Sequence, residues 1–170
     1  MEDIALLVLR AVFGLLLAGH GAQKLFGWFG GPGFRGTTGW LGSLNLKPAP
    51  LWGAAAGMSE FAGGVLLALG FLSPVGAVAV IAAMVMAILL VHIGKGLWAS
   101  NGGIELPLAI GAVAFALLLS GPGRYSLDAA LGVSVPSVVV YLASGAALVS
   151  VVFALISRRT SGSVGQASEA

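Results

Sequence analysis

The 170-residue chain has no cysteine. It can form no disulfide, thiolate zinc site, cysteine-ligated iron–sulfur cluster or CxxC exchange pair. Any redox role must therefore run through a bound cofactor, a quinone or a partner subunit. Charge is almost as scarce, with eight Lys and Arg against six Asp and Glu, whereas soluble domains are about one quarter charged. No basic tract exists, and a formal net charge of +2 gives nucleic-acid binding no footing. The glycines near residue 30 lack the GxxxxGK[S/T] pattern, so they do not read as a phosphate-binding loop.

What remains is hydrophobic. Apolar residues make up 58% of the chain and the mean hydropathy is +1.04, which places it among membrane-spanning proteins. Five apolar segments stand out, at about 4–26, 51–72, 75–98, 104–120 and 137–157. Each is close to the ~20 residues a helix needs to cross ~30 Å of hydrocarbon. Helix is the economical solution, because a lone strand would leave its amides unpaired in lipid. The reading is thus an all-α membrane protein. A bundle of four spans fills 1–131, a further transmembrane helix occupies 132–158, and a polar tail at 159–170 is expected to be disordered. The acidic start, Met1-Glu2-Asp3, argues for a retained first helix over a secretory signal. The connection from Gly27 to Pro50 begins as a glycine-rich bend. Its second half, with Trp40, Leu41 and Leu44, reads as a short helix lying in the membrane interface.

Basic residues collect on one side of this threading: Lys24, Arg35, Lys47, Lys95, Arg158 and Arg159. Arg124 on the other side is balanced by Asp128, with Glu2 and Asp3 nearby. The positive-inside rule then sets the C-terminus in the cytoplasm and the N-terminus outside.

The scarce charges are the functional clue. Glu60 falls mid-span, and other apolar segments carry Arg10, His20, Lys24, His92, Lys95 and Glu105. An ionised side chain at mid-bilayer costs about 2.5–3.5 kcal/mol on insertion scales, so such groups face the protein interior and mark sites. At 100° per residue, Arg10, His20 and Lys24 lie within roughly 80° of one another, and His92 and Lys95 within about 60°. Antiparallel threading brings His20, Gln23, Lys24, Glu60, His92, Lys95, Asn101 and Glu105 into one half of the bilayer, as candidate ligand-binding residues. Glu60 and His20 are the candidates for proton handling. Plainer readings stand beside these. Arg10 and Glu60 form a structural ion pair, Lys24 and Lys95 snorkel to the headgroups, Glu105 caps a helix, and the histidines bond to backbone or carboxylates. A bis-histidine haem is the less economical use of His20 and His92. No residue set has metal-ligand spacing. Histidine, lysine and carboxylate around an apolar pocket suit a quinone-like headgroup, whose carbonyls need donors and whose reduction needs protons.

A run of motifs supports a family resemblance. It begins at Gly19-His20-Gly21-Ala22-Gln23-Lys24-Leu25-Phe26-Gly27 and continues through Phe29-Gly30-Gly31-Pro32-Gly33, Gly36-Thr37 and Trp40-Leu41. Glu60-Phe61-Ala62-Gly63-Gly64, His92, Asn101-Gly102-Gly103 with Glu105, and Gly121-Pro122-Gly123-Arg124-Tyr125-Ser126-Leu127-Asp128 follow in order. Over residues 4–131 the chain resembles the DoxX family. That resemblance implies a four-helix bundle of the inner membrane, associated with sulfur, thiol or quinone oxidoreductase systems. It implies a non-autonomous subunit more than an independent enzyme, with redox or stress-response enzymes as partners besides the lipid. Some relatives resemble scaffolds or assembly factors, which gives the rival expectation of a non-catalytic membrane scaffold. No catalytic residue carries over, and the last span departs from the shorter members as an added docking or anchoring helix.

Overall fold

The computed structural model describes the backbone of residues 1–167 and the side chains through Arg158. Among the described residues seven α-helices follow one another: α1 Glu2–Phe26, α2 Gly33–Ser43, α3 Ala49–Leu69, α4 Ser73–Ala87, α5 Glu105–Ser120, α6 Leu127–Leu131 and α7 Ser137–Ala167. Short 3-10 turns occupy Trp28–Gly30 and Ala99–Asn101. No β-strand occurs among the described residues.

Among the described residues four helical segments are long and apolar enough to cross a bilayer: Glu2–Phe26, Ala49–Leu69, Ser73–His92 and Ser137–Arg158. The expected span at 104–120 is an apolar helix of only 16 residues, about 24 Å long at 1.5 Å per residue. The third expected span ends at His92, short of Trp98, because α4 widens into a π-turn over Ile88–His92 and then meets Gly94 and Gly96. The helical backbone of α7 continues to Ala167, through most of the stretch expected to be an unstructured tail. An existing helix end extends without a new nucleation step. Residues 168–170 of that tail lie outside the described residues.

Packing starts at α1 and α3, which run together along most of their length. Gly14 and Gly64 make this closeness feasible, since a Cβ on Gly64 would lie 2.5 Å from the backbone nitrogen of Ala18. Small residues at such crossings let van der Waals contact replace the hydrophobic drive that lipid does not supply. One core joins α1, α3, α4 and α5 through Leu17, Leu67, Val80, Met84, Ile110 and Leu117. A helix forms between the first two spans, but it begins earlier than expected, at Gly33, and turns Leu41 into the core. Thr37 Oγ1 donates to the Lys24 carbonyl at 3.1 Å and so ties α2 to the end of α1. Helix α7 packs on α4 and is fastened at one end. There Ser157 Oγ donates to the Lys47 carbonyl at 2.6 Å, Arg158 Nη1 donates to the Leu90 carbonyl at 3.3 Å, and Phe153 meets Trp52 with ring centroids 5.7 Å apart.

Candidate functional site

Glu60 is the residue around which the site is built. Its place in the middle of α3 is fixed by the glycine-mediated contact with α1, and it is 4% exposed. A lone carboxylate there would be costly, and its partner is Lys24 at the end of α1: Nζ donates to Oε1 in the one salt bridge among the described residues. Lys24 is less deeply buried, with its side chain 29% exposed. The second oxygen of Glu60, Oε2, is buried without a partner, and so is Nε1 of Trp52 two turns earlier on the same helix.

Both residues line a partly open cavity of about 330 Å³. Its walls come from α3 (Trp52, Ala55, Ala56, Ser59, Glu60), α4 (from Val75 to Val91) and α7 (Ala143, Ala146, Ala147, Ser150, Val151). Trp40, Leu41 and Leu46 close the end near α2. Alanine dominates the lining. The volume is within the range of small-molecule sites, and apolar walls with a few convergent polar atoms are their usual chemistry. Beside it, Lys24 and Trp40 also border a smaller pocket with Gln23, Pro32, Gly36 and Thr37.

The expected constellation divides. Lys24 and Glu60 meet at the main cavity, and Gln23 lies beside it at the smaller pocket. His20 is half-buried and lines neither cavity. His92, Lys95, Asn101 and Glu105 belong to the α4–α5 connection. The Nδ1 of His92 faces the Gly102 carbonyl, and Glu105 Oε2 accepts from the Ala99 amide at 2.8 Å. Lys95, Asn101 and Glu105 are exposed. Glu105 therefore does not cap its own helix, as the plainer reading had it, but bonds the start of the 3-10 turn that precedes it. Among the described residues no three His, Asp or Glu side chains gather as metal ligands would.

Arg10 does not pair with Glu60. The two sit at different depths: Arg10 reaches Gly70 at the far end of α3, about 15 Å along the helix from Glu60 at 1.5 Å per residue. There Arg10 Nη2 donates to the Tyr125 carbonyl at 2.6 Å, and Asp128 supplies the opposing charge. Asp128, which the sequence reading set only against Arg124, is 4% exposed. Its two oxygens accept from the amides of Leu72 and Ser73 at 2.8 and 3.0 Å. A residue in the first turn of α6, more than fifty positions away, therefore caps α4. Gly70, at φ +64°, leaves the room the guanidinium needs, since any Cβ would strike it.

The sequence reading missed two contributors. Nothing in residue type marks Asp128 as a cap for a helix so far away in sequence. The α7 alanines, from a helix expected only to dock or anchor, form one wall of the cavity. Their small size was the available signal.

These features define the class: an all-α, multi-pass membrane protein with an internal apolar cavity bordered by one ion pair. The DoxX family model matches residues 5–93, more than half of the chain, and the protein belongs to the DoxX family. That match takes in Arg10, His20, Lys24, Glu60 and the whole of α4, and stops short of α5 and α7. No curated protein and no solved structure matches the chain.

Proposed function

We propose that this DoxX protein is a membrane subunit of an oxidoreductase system that binds a quinone-like amphiphile in the α3–α4–α7 cavity. The observation that carries the reading is Glu60 Oε2, buried, unpartnered and at the wall of an otherwise apolar space. Buried polar groups are almost always satisfied. One enclosed at the wall of a cavity is completed by a ligand's polar atom once the side chain turns toward it. Glu60, held by Lys24, is the group through which protons exchange with the bound head, and Trp52 Nε1 is a donor for a ring oxygen. His20, His92, Lys95, Asn101 and Glu105 have no place at the head in this arrangement. With no cysteine of its own, the chain leaves any thiol chemistry to a partner protein.

The charge bias of the loops supports a C-terminus in the cytoplasm and an N-terminus outside, in the cell membrane. On the cysteine-free background, a single cysteine introduced at residue 2 should react with an impermeant maleimide added outside whole cells. Labelling only after lysis would reverse the orientation.

The direct test is purification in mild detergent followed by solvent extraction and mass spectrometry of bound lipophiles. A quinone recovered at near one per chain, and lost from a Glu60→Gln variant that still folds, is the expected result. Its absence from the wild-type protein, with partner enzymes still co-purifying, would favour the rival reading of a non-catalytic scaffold.

A further inference from the structure

The cavity is a slot. Its lining on α4 runs from Val75 to Val91, about 24 Å along the axis at 1.5 Å per residue. A cavity this long, walled mostly by small apolar side chains, offers an extended hydrocarbon chain contact along its whole length.

Its opening is lateral. Both α3 and α7 pack on α4, yet the two flanking helices barely touch each other away from the Trp52–Phe153 pair. The slot lies in the wedge between them. Ala55 on α3 and Ala146 and Ser150 on α7 line it while remaining exposed, so this side faces what surrounds the bundle. By helix length and hydropathy that surrounding is lipid. Toward α2 the slot is shut by Leu41, Leu46, Trp52, Leu90 and Ala154, which pack as one buried cluster.

The head is constrained by charge. Lys24 is already engaged by Glu60 Oε1, and the free Oε2 of an ion-paired carboxylate is an acceptor. It calls for a donor, an O–H or N–H. A carboxylate or phosphate would bring like charge against it and gain no free cation.

Resting on the quinone-like reading of the same site, we propose that the ligand is a neutral, hydroxyl-bearing, single-chain amphiphile. It enters from the bilayer between α3 and α7, lays its chain along the alanine slot, and donates its hydroxyl to Glu60. For a quinone couple, this selects the reduced quinol over the oxidised form. Ala82 on α4 and Ala147 on α7 are the residues that keep the slot open.

The test uses the full chain in lipid nanodiscs, with binding read from quenching of the cavity tryptophans, Trp40 and Trp52. The probes are a decyl-substituted benzoquinol, its oxidised quinone, the same quinol without the chain, decanol and decanoate. The decylquinol should bind about tenfold tighter than either the decylquinone or the chainless quinol, because it alone supplies both donor and chain. Ala82→Leu and Ala147→Leu should each weaken decylquinol about tenfold and leave the chainless quinol within about twofold, the latter also proving that the variants are folded. Equal loss for both quinols, or no loss, overturns the slot. Decanoate binding as tightly as decylquinol overturns the neutral head, and a preference for the decylquinone overturns the selection of the reduced form. Decanol binding that Ala147→Leu abolishes, with no quinol binding at all, keeps the slot and rejects the quinone reading. Binding of none of the five rejects both.

Discussion

The two ends of this bundle hold similar charges to opposite effect. At one end Arg10 and Asp128 are buried among backbone groups: the guanidinium meets the Tyr125 carbonyl, and the carboxylate spans two amides at the start of α4. At the other end Lys24 and Glu60 meet each other beside a cavity, with the second carboxylate oxygen buried and unbonded. The first arrangement joins α1, α3, α4 and the α5–α7 connection into one unit and presents no cavity to a ligand. A charge inside the membrane is therefore not by itself a sign of function. Both ends keep buried polar atoms without a partner, Nε and Nη1 of Arg10 at the first and Oε2 of Glu60 at the second. What separates them is that only the second borders the cavity.

The largest effect should come from the closed end. Asp128→Ala strips two amides of their acceptor and removes the negative charge nearest Arg10. Leaving buried donors unsatisfied typically costs about 1–3 kcal/mol each, and the loss should appear in unfolding of the purified protein by denaturing detergent. Asp128→Asn keeps one acceptor oxygen and should recover part of the stability. If Asp128→Ala unfolds like the wild-type protein, the latch is ornamental and the contrast between the two ends disappears.

At the open end the effect on stability should be smaller and the effect on binding larger. Lys24 is partly exposed, so when Glu60 is removed the ammonium can turn to the headgroups. Partly exposed pairs contribute about 1 kcal/mol or less. Glu60→Ala should thus unfold close to the wild-type condition, whereas Glu60→Gln should weaken the bound amphiphile by about tenfold through loss of a charge-assisted acceptor. A destabilisation by Glu60→Ala equal to that by Asp128→Ala would make both ends structural.

This contrast marks what the amino-acid order discloses. The helices are written in hydropathy, and glycine at positions such as 14 and 64 announces close packing, so the membrane bundle was legible almost throughout. The pairing of charges was not. On a helical wheel Arg10 shares a face with Lys24, but fourteen residues separate them, about 21 Å of depth; angle without depth drew Arg10 to Glu60. Asp128 was hidden for another reason: a cap supplied from a remote helix has no local spacing to detect. The cavity was least visible of all. It exists because alanines on α4 and α7 fail to fill the wedge beside α3, and a pattern of small residues reads equally well as tight packing or as empty space.

The smallest expected effect tests the part of the constellation that the structure set aside. Glu105 is exposed and bonds only the Ala99 amide among the described contacts. In Glu105→Gln a carbonyl oxygen can still accept that bond. Stability should change by no more than about 0.5 kcal/mol, as is usual for exposed positions. Ligand affinity should not change, because the α4–α5 turn borders neither cavity. The same holds for His92, whose ring is directed at the Gly102 carbonyl of that turn. Titration of the decylquinol into Glu105→Gln checks the claim in the most exposing way. A loss of affinity rivalling that of Glu60→Gln would move the head of the ligand to the α4–α5 turn, and would mean that the four-helix convergence inferred from depth and angle describes the working protein better than the cavity beside α7 does.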